Sequence, residues 1–183
     1  MATICCEYGG DYEKASSRTI RANVAMDSMV CTWVPQGTFH HAGFVVACLR
    51  GVVEGFAESL GAEWDGRIVH DPQQMVQVTF LRGPNPADPL LELIEPAEGK
   101  SPVLGLAKRG GGLHHLCYVV DSLEERLERS RARGALIVRQ PVPAAAFGGR
   151  RIAWVYTRNR LLIEYLESAE LYQSRISGVE NGS

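Results

Sequence analysis

The chain has 183 residues, of which 45% are hydrophobic and 22% are charged, and its formal net charge is −2. This length suffices for one domain with a buried core. The nearly balanced charge excludes electrostatic attraction to nucleic acid. The longest apolar runs fall far short of the roughly 20 residues that span a bilayer. We therefore expect a globular protein with neither a nucleic-acid nor a membrane partner.

The cysteines indicate the compartment. There are five, two of them adjacent and none in C-x-x-C spacing, which argues against a disulfide framework or a thiolate zinc site. Cys48 and Cys117 lie in apolar segments and are predicted to be small core residues. The first residues lack the basic and then apolar pattern of a secretory signal. We therefore expect a reducing, cytoplasmic location.

The chain contains an internal repeat. His40–Val46, with the sequence HHAGFVV, recurs as His114–Val120, with the sequence HHLCYVV. Leu90–Glu95 (LLELIE) recurs as Leu162–Glu167 (LIEYLE). The two landmarks recur at offsets of 74 and 72 residues. Offsets this similar indicate two modules of the same construction.

Each module predicts the order strand, helix, strand, strand, strand. The apolar spacing from Leu49 to Leu60 predicts a helix that ends at Gly61. In the second module a capping box of Ser122 and Glu125 predicts the start of the equivalent helix. Runs of β-branched and aromatic residues predict the strands. These strands lie at 40–46, 67–69, 76–81 and 90–94 in the first module and at 114–120, 136–138, 151–156 and 161–166 in the second.

These elements define the domain organisation. Residues 1–37 match neither module and form a predicted N-terminal extension. Module 1 spans about 38–98 and module 2 about 112–168, within one domain of residues 38–168. Residues 169–183 are polar and are predicted to be a frayed C-terminal tail. Strands and helices mixed in this order predict the α+β class, built from two tandem βαβββ modules.

A glutamate on the last strand recurs in both modules. Because side chains alternate along a strand, Glu92 and Glu164 share a face with leucine and isoleucine neighbours. A carboxylate in such a place costs several kcal/mol unless it is paired or binds a cation. Glu95 and Glu167 fall on the opposite face, where we expect solvent.

The histidine pairs at 40–41 and 114–115 accompany these glutamates. Adjacent side chains on a strand point to opposite faces, so we expect one histidine of each pair to enter a shared cavity, and the repeat does not decide which. Two imidazoles with Glu92 and Glu164 would offer a mixed N/O site for one divalent ion, Zn²⁺, Mn²⁺, Co²⁺, Ni²⁺ or Fe²⁺. The competing interpretation is hydrogen-bonded core histidines and charges that protect strand edges. The recurrence of a histidine and a glutamate in both modules favours the metal site.

The chain also resembles a known family. Ser101–Asp121, which includes GGGLHHLCYVVD, together with Leu91–Pro96 and Leu162–Glu164, is similar to methylmalonyl-CoA epimerases of the vicinal oxygen chelate superfamily. The resemblance covers about residues 39–167. It implies that the two modules form a curved mixed sheet around a metal-binding cavity.

Carried over position by position, the resemblance implies that His41, Glu92, His115 and Glu164 bind the metal. It implies an isomerase, a racemase or epimerase, that removes the proton next to the carbonyl of an acyl-CoA-type thioester. In such chemistry the ion acts as a Lewis acid. Glu164 is then expected to be a base as well as a ligand, with Glu92 or a neighbouring group as its counterpart. A homodimer is expected because relatives are frequently dimers.

One departure keeps alternatives open. Over Pro72–Val78, where epimerases commonly have acidic residues, this chain has amides, and His70 is the nearby substitute for a base. Glyoxalase I-type lyases share the His/Glu/His/Glu set, so a lyase or another enzyme with an α-oxo or α-acidic substrate is an alternative. A non-catalytic small-molecule-binding resistance protein is a further alternative, disfavoured because such proteins typically lack the ligands.

An acyl-CoA substrate would require cations at the cavity mouth to bind its phosphates. The candidates are Lys100, Lys108, Arg109, Arg150 and Arg151. Solvated surface charge is the competing interpretation of these residues.

Overall fold

The structure is a computed structural model that describes residues 37–97 and 99–180, with the backbone alone at 178–180. Apart from Gly37, the predicted N-terminal extension lies outside the described residues. No helix within the described residues is long and apolar enough to cross a membrane.

Module 1 contains one helix and five strands. In chain order these are β1 (Thr38–Val45), α1 (Leu49–Leu60), β2 (Glu63–Trp64), β3 (Val69–Asp71), β4 (Val76–Arg82) and β5 (Leu90–Pro96). The short β2 was not predicted, and the strand predicted at 67–69 begins two residues later. The carbonyl of Arg67 accepts a hydrogen bond from the side chain of Thr79, through Oγ1, and the backbone pairing of β3 with β4 begins only at Val69.

Module 2 has the predicted order of elements. They are β6 (Gly112–Val120), α3 (Leu123–Ala132), β7 (Leu136–Pro143), β8 (Arg151–Tyr156) and β9 (Leu162–Glu167). A short helix, α2 (Leu104–Lys108), precedes this module, and a 3₁₀ turn (Ala145–Phe147) joins β7 to β8. Neither was predicted, because both are too short to show a periodic pattern.

The helix ends show why the sequence folds in this way. Gly61 ends α1 in the left-handed conformation, at φ 59°, and the backbone N–H of Glu125 donates to Ser122 Oγ at 3.2 Å, so both predictions are confirmed. At the start of α1, Cys48 is exposed and caps nothing, so its predicted core position is wrong. Glu95 supplies the cap, because its Oε2 accepts the Leu49 N–H at 2.6 Å. The prediction that Glu95 simply faces solvent is therefore wrong.

All nine strands of the described residues form one curved, open sheet in the order β2-β4-β5-β1-β6-β9-β8-β7, with β3 on β4. The first strands of the two modules, β1 and β6, pair antiparallel at its centre. Each pairs in parallel with the last strand of its own module, β1 with β5 and β6 with β9. The four strands that carry the predicted ligands are therefore neighbours.

Side-chain alternation divides the sheet into two faces. On one face α1 packs through Leu49 and Val53 onto Leu81 and Leu93. In module 2, α3 packs in the same way over Ala153, Val155 and Tyr165 of β8 and β9. Burial of these apolar side chains provides most of the driving force for each module. The other face of the sheet is left for the cavity.

The prediction of a frayed C-terminal tail is wrong for most of its residues. Residues Ala169–Glu180 form helix α4, whose first turn is capped by Ser168 Oγ at 3.3 Å from the Leu171 N–H. Glu167 is fully buried, with its carboxylate 2.8 Å from Arg151 Nη2 and 2.9 Å from Arg175 Nη2. Glu167 therefore does not face solvent as predicted, and its ion pair with Arg175 holds α4 against the sheet.

Candidate metal centre

The four predicted ligand side chains converge at the centre of the sheet. His41 Nε2 lies 3.0 Å from His115 Nε2 and 3.4 Å from one oxygen each of Glu92 and Glu164. His115 Nε2 lies 3.5 Å and 3.6 Å from the same two oxygens. All four residues are buried, with exposures between 0 and 6%.

These separations fit a bound cation. An ion with bonds of about 2.0–2.1 Å to nitrogen and oxygen sets neighbouring ligand atoms about 3.0 Å apart in an octahedron and about 3.4 Å apart in a tetrahedron. The three distances from His41 Nε2, at 3.0–3.4 Å, fall in this range, and the two from His115 Nε2 to the carboxylates, at 3.5 and 3.6 Å, lie just above it. His41, His115 and Glu164 also form a group whose ligand atoms lie within 4.8 Å of one another. The donor set of imidazole and carboxylate suits a first-row divalent metal.

The strand register explains how Glu92 and His115 come together. Gly43 of β1 lies beside Glu92 on β5 and, on its other side, beside His115 on β6. A Cβ atom on Gly43 would come within 2.1 Å of His115 Cε1. The imidazole thus occupies the space that a side chain at position 43 would fill.

Cys117 has the equivalent place in module 2. It lies between His41 on β1 and Glu164 on β9, so each histidine ligand faces a glutamate across one small residue. Burial raises the pKa of the Cys117 thiol well above its ordinary value, and the Glu164 carboxylate raises it further. The thiol is therefore neutral at physiological pH.

Charge is concentrated in the centre. Burial by itself would lower the pKa of His41, but the carboxylates of Glu92 and Glu164 raise it to about 10. Burial would raise the pKa of Glu164, but hydrogen bonds from His115 and His41 hold it far below its usual range. Two carboxylates at such depth require positive charge, which a divalent ion would supply.

The other histidine of each pair is also close to the centre. Nδ1 of His40 lies 2.8 Å from Nδ1 of His41, and Nδ1 of His114 lies 3.0 Å from Nδ1 of His115. Burial lowers the pKa of both His40 and His114 to about 4, and the neighbouring ring of His41 or His115 lowers it further. Both rings are therefore neutral at physiological pH, and in the tautomer with the proton on Nε2 each Nδ1 can accept the neighbour's N–H. This leaves Nε2 of His41 and of His115 for an ion.

The expectation that only one histidine of each pair enters the cavity is wrong, since both His114 and His115 line it. The register of β1 with β6 shifts twice, between Phe39 and His41 and between Gly43 and Phe44. His40 is the extra residue of the first β-bulge and His114 that of the second. A bulge redirects a side chain that regular alternation would send to the opposite face.

The cavity next to the centre has a volume of about 250 Å³ and a mostly apolar lining. Val76 and Val78 line it from β4, Ile94 from β5 and Ile152 from β8. Phe147 of the 3₁₀ turn stacks near the His41 ring, at a centroid distance of 5.9 Å. Glu92, His115 and Glu164 are exposed to this space, so a ligand held there can approach the ion and its carboxylates.

The predicted mouth cations lie elsewhere. Arg150 donates to the Glu167 carbonyl at 2.7 Å through Nε, and Arg151 pairs with Glu167 and Glu124. Three others (Lys100, Lys108 and Arg109) are exposed and do not line the cavity. His70 is exposed and does not line it either. The arginine that does line it is Arg139, which no sequence pattern distinguished.

The profile of the Glyoxalase/Bleomycin resistance protein/Dioxygenase superfamily matches residues 40–154, more than half of the chain. The chain belongs to this superfamily. Its resemblance to the vicinal oxygen chelate proteins is thereby confirmed. The superfamily is typically metal-dependent, and the described residues of this member include a histidine and glutamate group that could hold an ion.

Similar members of the superfamily are epimerases. The ethylmalonyl-CoA/methylmalonyl-CoA epimerase of Cereibacter sphaeroides is 27% identical over 132 residues, 70% of this chain and 96% of that protein. The structure of methylmalonyl-CoA epimerase from Mycobacterium tuberculosis has a TM-score of 0.64 and 25% identity, covering 74% of this chain and 91% of that one. The predicted α+β fold is confirmed by this likeness.

A third relative was solved with a ligand. It is a variant of Streptomyces coelicolor methylmalonyl-CoA epimerase in complex with 2-nitronate-propionyl-CoA, with a TM-score of 0.62 and 24% identity. The match covers 74% of this chain and 96% of that one. At this identity the likeness shows the fold alone.

Proposed function

We propose that the protein is a metal-dependent isomerase that epimerises the carbon next to the carbonyl of an acyl-CoA-type thioester. The observation that carries the proposal is a pair of histidine Nε2 atoms, each 3.0–3.6 Å from the other and from an oxygen of Glu92 and of Glu164, beside an apolar cavity. The epimerase of Cereibacter sphaeroides, at 27% identity, supports the same reaction class.

In this proposal His41, Glu92, His115 and Glu164 hold one first-row divalent ion. When bound, the ion would supply Lewis acidity that makes the proton next to a carbonyl easier to remove. The ligand nitrogens are held in place by His40 and His114 through their Nδ1 atoms. The cavity walls exclude water, which strengthens electrostatic interactions inside.

The two carboxylates suit the proton transfers. Glu92 belongs to module 1 and Glu164 to module 2, so they approach the centre from different halves of the sheet. Epimerisation requires one group to remove the proton and another to return it from the opposite face. We assign Glu164 as the base and Glu92 as its counterpart, each also a ligand. Trp154 is the neighbour of Glu164 on β8 and helps fix its position.

The test is deuterium exchange at the α-carbon of (2R)- and (2S)-methylmalonyl-CoA in D₂O, with protein whose metal content has been measured. We expect about one ion per chain and incorporation of deuterium from both epimers. Glu164→Gln should lower exchange by about 10²–10⁴-fold, the usual contribution of a general base. The exposed Glu54→Gln on α1 is the matched control and should exchange at the wild-type rate. No exchange by folded, metal-loaded wild type would refute the proposal.

A glyoxalase-type lyase is the second candidate, and one observation favours it. Within the described residues β4 lines the cavity with Val76 and Val78 and contributes no carboxylate. The glutamates that line the cavity are thus those of the ligand set, which the sequence shares with these lyases. Turnover of the glutathione–methylglyoxal hemithioacetal, without exchange on methylmalonyl-CoA, would establish this candidate instead.

A further inference from the structure

One end of the cavity carries hydrogen-bond donors without partners. Gln74 lines the cavity from the turn between β3 and β4, and its Oε1 accepts a hydrogen bond from Arg139 Nη1 at 3.3 Å. This bond fixes the orientation of the amide, so its other end is the NH₂ group. That Nε2 atom is buried and has no hydrogen-bond partner among the described residues. An unpartnered buried donor is costly and calls for a ligand group that satisfies it.

Arg139 adds positive charge at the same place. It is half-buried on β7, it lines the cavity, and Nη1 also donates to the Gln73 carbonyl at 3.2 Å. No carboxylate of the described residues lies within 4.0 Å of its guanidinium nitrogens, whereas Arg151 and Arg175 both pair with Glu167. The charge of Arg139 is thus available to an anion.

Trp154 supplies a third donor. Its Nε1 is buried without a partner among the described residues, and the residue lines the same cavity next to Glu164. An indole N–H can only donate. The three side chains therefore offer donors from module 1, at Gln74, and from module 2, at Arg139 and Trp154.

The carboxylate of Asp71 already accepts hydrogen bonds from the backbone through both oxygens. Asp71 lines the cavity, but its Oδ1 accepts the N–H groups of Gln73 and Gln74 at 2.9 Å each. Its Oδ2 accepts the Ala145 N–H at 3.0 Å. Asp71 therefore leaves no carboxylate oxygen for Gln74, Arg139 and Trp154, and a carboxylate of a ligand would supply acceptors for them.

We infer that Gln74, Arg139 and Trp154 form an anion subsite, which binds a carboxylate of the substrate separate from the oxygens that approach the ion. The substrate class is thus a compound with a chelating carbonyl end and a separate carboxylate, joined by a short apolar body that matches the valine and isoleucine walls. The inference rests on the proposed function only in taking this cavity as the substrate site. It assigns substrate specificity chiefly to Gln74 and Arg139, whose hydrogen bond joins the two modules.

The test uses matched probes that share a chelating 2-oxo acid end. Oxaloacetate, 2-oxoglutarate and 2-oxoadipate carry a second carboxylate after one, two or three methylenes, and 2-oxobutyrate, 2-oxopentanoate and 2-oxohexanoate end in a methyl group. Calorimetry on metal-loaded protein gives the Kd of each diacid and its monoacid. We expect at least one diacid to bind about tenfold or more tightly than its partner, the effect of a charge-assisted hydrogen bond.

Variants then locate the preference. Arg139→Gln and Gln74→Leu should each reduce the diacid-to-monoacid ratio towards one, and Trp154→Phe should reduce it in part. The matched control is Arg50→Gln, an exposed arginine of α1, which should keep the wild-type ratio. A ratio near one for every pair in wild type, or a preference that survives both Arg139→Gln and Gln74→Leu, overturns the subsite.

The same measurements separate this inference from the proposed function. Equal, metal-dependent binding of diacids and monoacids overturns the subsite and leaves the metal centre standing. A diacid preference with Kd values that are the same with and without metal supports the subsite and contradicts the metal-based function. Failure of every probe to bind overturns the subsite, and α-carbon exchange on methylmalonyl-CoA then decides the proposed function separately.

Discussion

A Cβ atom on Gly43 would lie 2.1 Å from Cε1 and 2.4 Å from Nδ1 of His115. The backbone of Gly43 is not in the left-handed region, so its importance is purely one of space. The ligand imidazole of one module therefore depends on the missing side chain of the other. The position of His115 in this centre is therefore set by its neighbour on the adjacent strand.

Gly43→Ala should displace His115 and weaken metal binding by about tenfold or more, as other disruptions around metal ligands do. It should also destabilise the fold by about 1–3 kcal/mol through overpacking. Metal competition with a chelating dye and urea unfolding measure the two effects. The control Gly55→Ala, where a Cβ meets nothing within 4 Å in α1, should stabilise by about 0.5–1 kcal/mol. Wild-type metal affinity in Gly43→Ala would contradict the packing argument.

Metal binding should stabilise the wild-type protein, because the centre exists only in the folded chain. At a free metal concentration of 100 Kd the expected gain is about 2.7 kcal/mol. His115→Ala should abolish this gain, while His70→Ala, which changes an exposed histidine outside the centre, should retain it. Thermal unfolding with and without metal measures both. An equal rise in Tm for His115→Ala and wild type would show that the ion binds elsewhere.

The bulged histidines should tune metal affinity without binding the ion themselves. His40→Ala removes the 2.8 Å contact with His41, and His114→Ala removes the 3.0 Å contact with His115. Each loss should weaken metal binding by about 10–100-fold, because the ligand ring is no longer oriented. Titration against a competing chelator measures the change. If both variants bind metal as tightly as wild type, the two contacts have no orienting role.

Glu167 should make stability depend on pH. Burial would raise the pKa of its carboxyl, but hydrogen bonds from Arg175 and Arg151 hold it below the ordinary value. A carboxyl with a lowered folded-state pKa stabilises above its unfolded pKa, about 4.3, and loses that contribution as the pH falls through the folded value. Glu167→Gln should therefore cost on the order of 2–4 kcal/mol at pH 7.

The difference in unfolding free energy between wild type and Glu167→Gln should shrink as the pH drops below about 4.3. Denaturant unfolding at neutral and acidic pH measures it, and helix content reports whether α4 stays formed. Glu54→Gln, an exposed change, should follow the wild-type curve throughout. A cost for Glu167→Gln that is unchanged in acid would mean that the ionised carboxylate is not the stabilising form.

The glutamates illustrate how far sequence reasoning reaches. The strand faces of Glu92 and Glu164 follow from alternation within one strand, so local pattern suffices to place them opposite the helix-packing residues. Glu95 and Glu167 could not be interpreted in the same way. Their partners, the N–H of Leu49 and the guanidinium of Arg175, lie on separate helices. The partner of a charged side chain depends on tertiary contacts, which the residue spacing within one strand does not predict.

The histidine pairs show the same limit. Alternation predicts opposite faces for His40 and His41, but the extra residue of a bulge is defined only by the pairing of β1 with β6. Arg139 was missed for a related reason. Its place beside Gln74 depends on how the two modules meet, whereas Arg150 and Arg151, two of the cations singled out in the sequence, contact Glu167.

The ligands of the centre come from both halves of the chain, and this has an evolutionary consequence. Each half of the chain supplies one imidazole and one carboxylate, on strands that meet only where β1 pairs with β6. A single ancestral half would have had to associate with a second copy of itself to surround an ion. Two fused copies can diverge independently, and one such difference is the glycine at 43, where module 2 has the cysteine at 117.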